Sequence, residues 1–146
     1  MDVDREKLFN SMLVMVFREI EDAERRALIT GNYKDISIND MHILEAIGVG
    51  KPKNMSAVAK AISVTVGTLT IAINNLVKKG YVRRVRSEED KRVVLLSLTG
   101  KGRSAYESHA AFHKNMIRTV MEGFEENELD VLSRAFLKLR KYFRNL

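Results

Sequence analysis

Apolar residues along this chain recur at two different periods, and the places where the period changes mark out its elements. From about Asp4 to Ile29 they fall in two neighbouring rows, Leu8, Met12 and Met15 beside Phe9, Leu13, Val16, Ile20, Ala23 and Ala27. That is helical spacing, with a stripe too wide for one neighbour to cover. Gly31-Asn32 ends this helix. Ser37, with Asp40 three residues on, has the form of a capping box and would start a short helix from Asn39 to Ile47, with Ile43, Leu44 and Ile47 inward. Gly48, Gly50 and Pro52 make a turn. Two helical patterns then follow in close succession, the first opening on Ser56 as N-cap and the second on Thr65. In the second, Val66, Leu69, Ile73, Leu76 and Val77 should face a core, and Gly80 suits the left-handed residue that stops it. Two β-rich runs come next, YVRRVR and RVVLLSL, around a charged tip Ser-Glu-Glu-Asp-Lys. Helix, turn, helix and two-stranded ribbon is the order of a winged helix-turn-helix. Thr99 would cap a long helix from Gly100 to about Glu122, striped by Ala105, His109, Phe112/His113, Met116 and Val120. Gly123 breaks it, and Asn127 can cap a last helix to about Arg144. There Leu129, Leu132, Phe136, Leu139 and Phe143 have the seam spacing of a helix packed along another helix.

The expected fold is therefore mainly α (α+β). A winged helix-turn-helix lobe at 37–99 sits between long N- and C-terminal helices at 4–30 and 100–146, all in one domain of 146 residues with 45% apolar content. The broad apolar faces of the terminal helices lie outside the winged lobe, which suggests a homodimer, since a two-fold protein suits a two-fold operator. Cysteine is absent, so disulfides and thiolate chemistry are excluded, and a reducing cytoplasm fits. No N-terminal stretch reads as a signal peptide, because Arg18, Glu19, Glu21 and Asp22 interrupt the first helix. No continuous apolar run approaches about 20 residues, so no membrane partner is expected.

Charge sharpens the picture. Between Lys78 and Arg103 stand nine Lys or Arg against three acids, an excess of six that equals the formal charge of the whole chain. A localised excess of this kind is the footprint of a phosphate-binding surface. The outward side of the second helix carries Gly67, Thr68, Ile71, Asn74, Asn75 and Lys78, with Thr65 and Thr70 at its flanks. It is nearly uncharged until its end, whereas an ordinary solvated face is rich in Glu, Lys and Arg. Hydroxyls and carboxamides suit base edges in a major groove. Thr65, Gly67, Thr68, Thr70, Asn74, Asn75 and Lys78 are thus candidate DNA contacts, with Arg83, Arg84, Arg86 and Lys91 on the ribbon. An enzyme is not expected: no Ser or Cys stands near a His in a nucleophile setting, and no glycine loop is shaped to cradle phosphates.

With these elements placed, the chain resembles the MarR family of transcriptional regulators through VTVGTLTIAINNLVKKGYVRRVRSEEDKRVVLLSLTGKGR. The likeness lies in the recognition helix, the Gly-Tyr-Val entry to the ribbon, the wing-tip Asp-x-Arg and the Leu-Thr-x-x-Gly exit. It implies a dimeric regulator of double-stranded DNA, a repressor on a pseudo-palindromic operator, whose wing Arg enters the minor groove. That Arg is Arg92 here, and Asp90 would brace the wing by pairing with a nearby Arg such as Arg86. KDISINDMHILEAIG, NNLVKKGYVRRVRSEEDKRVV and HAAFHKNM further resemble the FabT-type repressors of bacterial fatty-acid synthesis, which implies a response to acyl chains on acyl carrier protein. A pocket of Met12, Met15, Val16, His42, His109, His113 and Met116 would suit such a chain, since thioethers line adaptable apolar pockets.

His42, His109 and His113 are the only histidines in the sequence, and the last two are one helical turn apart. With Glu24 they resemble the zinc site of the zinc-sensing MarR branch. Met41 stands where that branch tends to place a second acid, and the cysteine of its second site is missing. The expectation is no obligatory cofactor, with zinc at Glu24, His42, His109 and His113 as the alternative to a lipid response. Semi-buried histidines hydrogen-bonded to carboxylates would account for the same residues.

Overall fold

The computed structural model of the chain describes residues 2–146. Helices α1 (Val3–Thr30) and α2 (Ile38–Ile47) precede a two-residue strand β1 (Lys53–Asn54). Helices α3 (Met55–Ala61) and α4 (Val66–Lys78) lead into strands β2 (Val82–Arg86) and β3 (Val94–Leu98), and α5 (Gly100–Glu122) and α6 (Glu126–Arg144) complete the chain. The winged helix-turn-helix is present, with α3 and α4 bent by 103°, inside the range of that motif. The chain falls into two compact units, Met1–His109 and Ala110–Leu146.

Local signals set most boundaries. Ser37 and Asp40 form both halves of the capping box at 3.0 Å, Thr65 accepts from the Thr68 amide at 3.1 Å, and Thr99 accepts from the Gly102 amide at 3.1 Å. Gly80 sits at φ 85° as the left-handed residue after α4. Four expectations fail. The ribbon is three-stranded, in the order β1-β3-β2, because Lys53 and Asn54 pair antiparallel with Leu96 and Leu95. That pairing holds Asn54 extended, so the helix can only begin after it. The cap of α3 is therefore Asn54, accepting from the Ala57 amide at 2.8 Å, and Ser56 lies inside the helix. Likewise α6 starts on a Glu125–Glu128 capping box rather than on Asn127. Val66 is on the predicted face but 44% exposed, since it stands on the first turn of α4 ahead of the packed part.

The core of the first unit gathers Leu69, Ile73 and Leu76 of α4, Ile43, Leu44 and Ile47 of α2, Val58 of α3, and Leu96 and Leu98 of β3 around Tyr81, all buried. Across β2 and β3, Val82 pairs with Leu98, Arg84 with Leu96 and Arg86 with Val94. Directly opposed residues share a face. Val82, Arg84 and Arg86 thus lie on the side of the sheet that carries the buried leucines, and Arg83 and Val85 lie on the other. On α1 only Glu24 and Leu28 are buried, so Leu8, Phe9, Met12, Met15 and Val16 of its wide stripe remain uncovered within the chain. In the second unit α6 has no buried residue, and Val131, Phe136, Leu137 and Phe143 are exposed. No helix among the described residues is by itself long and apolar enough to cross a membrane.

Candidate nucleic-acid interface

The uncharged side of α4 is where its sequence placed it. Burial of Leu69, Ile73 and Leu76 turns the opposite side outward, so Gly67, Thr68, Ile71, Asn74, Asn75 and Lys78 are all exposed. The two flanking threonines have local duties. The Thr65 hydroxyl caps the helix and lies 3.0 Å from that of Thr68. Half-buried Thr70 donates to the Val66 carbonyl at 2.8 Å, back along the helix. One polar group on this face is bound to the ribbon, for Arg84 Nη2 donates to Asn74 Oδ1. The sheet register explains the reach: Arg84 is on the helix-facing side of β2, and Arg83 is not.

At the wing the Asp90 carboxylate accepts from the Arg92 amide at 3.0 Å and pairs with Arg92 Nε at 3.2 Å. The expected partner Arg86 is not used. Asp90 sits at the tight turn, where its amide lies 3.4 Å from Ser87 Oγ and its carbonyl accepts from the Val93 amide. The nearest guanidinium is then two residues along the same turn, whereas Arg86 is back on the strand facing the helices. The Arg92 side chain is 91% exposed and projects from the tip. Arg83, Arg86, Lys91 and Lys78 are exposed as well.

Not every cation nearby is available. The Lys79 ammonium donates to the Asp35 carbonyl. Lys101 donates to the Lys79 carbonyl at 3.1 Å, lies 3.8 Å from the Asp35 carboxylate and sits 4.4 Å over the Tyr81 ring. At the centre of this knot the Tyr81 hydroxyl donates to Asp35 Oδ1 at 2.5 Å. That bond holds the Asp35 carboxyl below its ordinary range, with Lys101 and Lys79 adding to it. Burial, then the hydrogen bond to Asp35 and the Asp35 charge, push the Tyr81 hydroxyl well above its ordinary value. The knot ties the segment after α1 to the end of α4 and the start of α5. Its partners are 20 to 66 residues apart, and no periodicity pointed to it.

The histidine cluster is partly assembled in the first unit. Glu24 and His109 are buried, and a Glu24 carboxylate oxygen and a His109 ring nitrogen lie within 4.8 Å. His42 Nε2 is 3.6 Å from Glu24, and His109 Nε2 is 2.6 Å from Glu45 Oε1. The two imidazole rings meet edge to face at 6.5 Å. Glu45 was not singled out from the sequence, although it lies three residues after His42 on one face of α2. His113 and Met116 belong to the second unit, and Met12, Met15 and Val16 are about half exposed on α1. Two clefts flank His42. One, of 440 Å³, is lined by His42, Glu45, Ala46, Ala61 and Ile62. The other, of 260 Å³, runs from His42 and Ile43 past Ile62 and Val64 to Thr68, Leu69 and Ala72 of α4.

Comparison with known proteins agrees with this architecture. Residues 28–108 match the family described as transcriptional regulator SarA/Rot. Among solved structures, Streptococcus pneumoniae FabT in complex with DNA superposes with a TM-score of 0.93 at 38% identity, covering 96% of this chain and 98% of that one. The Bacillus subtilis HTH-type regulator YpoP is 25% identical over 90% of both chains. YhjH of the same organism is 22% identical over 75% of this chain, which spans 64% of that protein's length.

Proposed function

The chain belongs to the SarA/Rot family of MarR-type, DNA-binding transcriptional regulators, and we propose that it is a homodimeric repressor that places α4 in the major groove and its wing in the minor groove. The observation that carries this reading is the exposed, uncharged face of α4 beside the projecting Arg92. In it Thr68, Asn74 and Asn75 face base edges, and Gly67 lets the backbone approach. Arg92, braced by Asp90 through its amide and its Nε, enters a narrow minor groove with its terminal nitrogens, where negative potential favours a guanidinium. Lys78, Arg83, Arg86 and Lys91 neutralise phosphates. Thr65 and Thr70 fix the helix and lie at the edge of the contact. FabT of S. pneumoniae, of which this chain covers 98%, is held on DNA in its crystal structure.

Dimerisation is supported by the uncovered apolar residues of α1 and by those of α6, a 19-residue helix with nothing buried. Apolar residues exposed together along a helix of an isolated chain mark an interface. Sedimentation should show a dimer. A monomer at micromolar concentration would remove the two-fold reading.

For the signal, the resemblance to FabT-type repressors favours acyl chains on acyl carrier protein and control of fatty-acid synthesis genes. A ligand beside His42 would press on Ile62 and on Leu69 and Ala72 of α4, because one cleft runs along all of them. Shifting α4 changes the spacing of the two reading helices, which must be about 34 Å to meet successive grooves. Coupling of about 1–3 kcal/mol is the usual scale of such a response. A second reading is zinc sensing, favoured by the juxtaposition of Glu24, His42 and His109, nitrogen and oxygen donors of the kind zinc takes. Bound there, zinc would supply a charge fixing α1, α2 and α5 together, and Glu24, His42 and His109 are the residues that would hold it, with His113 the fourth in the family pattern.

A gel shift on a palindromic promoter fragment, titrated in parallel with acyl carrier protein conjugates and with zinc against a chelator, tests both. Protein that ignores duplex DNA in dilute buffer would end the whole reading. Operator binding unmoved by acyl conjugates ends the lipid reading, and binding unmoved by zinc ends the metal one.

A further inference from the structure

The bond between Arg84 and Asn74 decides what α4 can recognise. An asparagine amide offers an oxygen that accepts and a nitrogen that donates, and the two ends look alike in shape. A guanidinium only donates. The end facing Arg84 Nη2 must therefore be Oδ1, and the contact fixes which way the amide points. Asn74 Nδ2, with no hydrogen-bond partner among the described residues, is the end left for DNA.

Three residues earlier on the same exposed face is Ile71, 74% exposed and the most exposed large apolar side chain on the helix. Residues three apart on a helix are neighbours. The helix thus presents an aliphatic group and an N–H donor side by side. In the major groove, thymine alone sets a methyl group beside an acceptor, its C5-methyl next to O4. Cytosine offers a donor there, and guanine offers two acceptors and no methyl. Adenine, the usual partner of asparagine, needs the amide oxygen to accept from its N6. Here that oxygen already takes a charge-assisted bond from Arg84.

We propose that Ile71 and Asn74 together read one thymine in each half-site, and that Arg84 is the positioning residue that makes Asn74 a donor. This rests on α4 being the base-reading helix and names the base it selects. Arg84 differs in this from Arg83, which the sheet register puts on the opposite side of the ribbon.

The test uses the full-length protein and a duplex enriched from a randomised library. Each thymine of the enriched duplex is replaced in turn by deoxyuridine, which removes only the methyl group. One symmetric pair of positions should lose about fourfold in affinity per methyl, the scale of one buried carbon. At that pair Ile71→Ala should bind thymine and deoxyuridine equally. Replacing the same thymine with 5-methylcytosine, which keeps the methyl and turns the acceptor into a donor, should lose more than the deoxyuridine change. Arg84→Met, checked for an unchanged melting temperature, should enrich adenine as well as thymine there, a shift in base preference that mere loss of a phosphate contact would not produce. If no sequence is enriched, the base-reading role of α4 fails and takes this proposal with it. If a sequence is enriched but no position responds to methyl loss, or Ile71→Ala keeps the response, the thymine assignment is overturned while DNA reading stands. An Arg84→Met protein with the parent's base preference overturns the positioning role.

Discussion

Replacing Gly102 with alanine sets local propensity against packing, and the two disagree in sign. Gly102 is on the first turn of α5, where alanine should help: its helix propensity exceeds that of glycine by about 1 kcal/mol. The structure says otherwise. A Cβ on Gly102 would overlap the Tyr81 carbonyl oxygen and would lie 3.0 Å from the Tyr81 carbonyl carbon and 3.3 Å from the Leu98 Cβ. Ordinary carbon contacts are about 3.5–4.0 Å, so the backbone itself must retreat. It is held on several sides, since the same carbonyl accepts from the Thr99 amide at 3.1 Å and Thr99 Oγ1 donates to the Gly80 carbonyl at 2.5 Å. Tyr81 is itself fully buried. Overpacking against a fixed backbone costs about 3 kcal/mol or more. After the propensity gain, a net loss of about 2 kcal/mol remains, or a fall of roughly 4–8 °C in melting temperature. Urea and thermal unfolding at one fixed protein concentration measure it, because association shifts apparent stability. Gly100→Ala is the control: a Cβ there meets nothing within 4 Å, so it should be neutral or slightly stabilising. A Gly102→Ala protein as stable as the parent would refute the reasoning.

Three further outcomes follow from the site. Tyr81→Phe removes the hydroxyl that holds Asp35, for a loss of about 1 kcal/mol at neutral pH, at the low end for a charged bond because Asp35 is half exposed. Since the folded protein lowers the Asp35 pKa, that contribution is complete above about pH 4 and is lost as pH falls through the lowered value. The difference between Tyr81→Phe and parent in urea melts should therefore shrink below pH 4, and a constant difference down to pH 2 would exclude the Asp35 bond as its source. Arg92→Ala, at a side chain 91% exposed, should leave stability unchanged while weakening operator binding by about 1–3 kcal/mol and relaxing the preference for flanking A·T pairs; anisotropy titrations on operators differing only in those flanks decide it. Lys78→Ala should weaken all duplexes alike and flatten the salt dependence of log K by about one unit, and an unchanged slope would show that Lys78 meets no phosphate.

Residue order alone determined what is local. The caps at Ser37, Thr65 and Thr99 and the left-handed stop at Gly80 each act within about four residues, and the buried row of α4 follows from its 3.6-residue period. The charge excess around the ribbon and the neutral face of α4 were equally plain, since composition and spacing define them, and the family likeness rested on the same stretch. The tertiary structure alone decided which partner each polar group takes. Asn54 displaced Ser56 as a cap because a strand 40 residues later fixes it extended. Asp90 paired with Arg92 rather than Arg86 because the turn brings one near and the pleat sends the other toward the helices. Gly102 is confined by a carbonyl 21 positions earlier, Asp35 by a hydroxyl 46 positions later, and His109 by a carboxylate on α2. Periodicity reports which face a side chain is on. Which atom it meets there depends on how distant segments cross, and that exists only once the chain has folded.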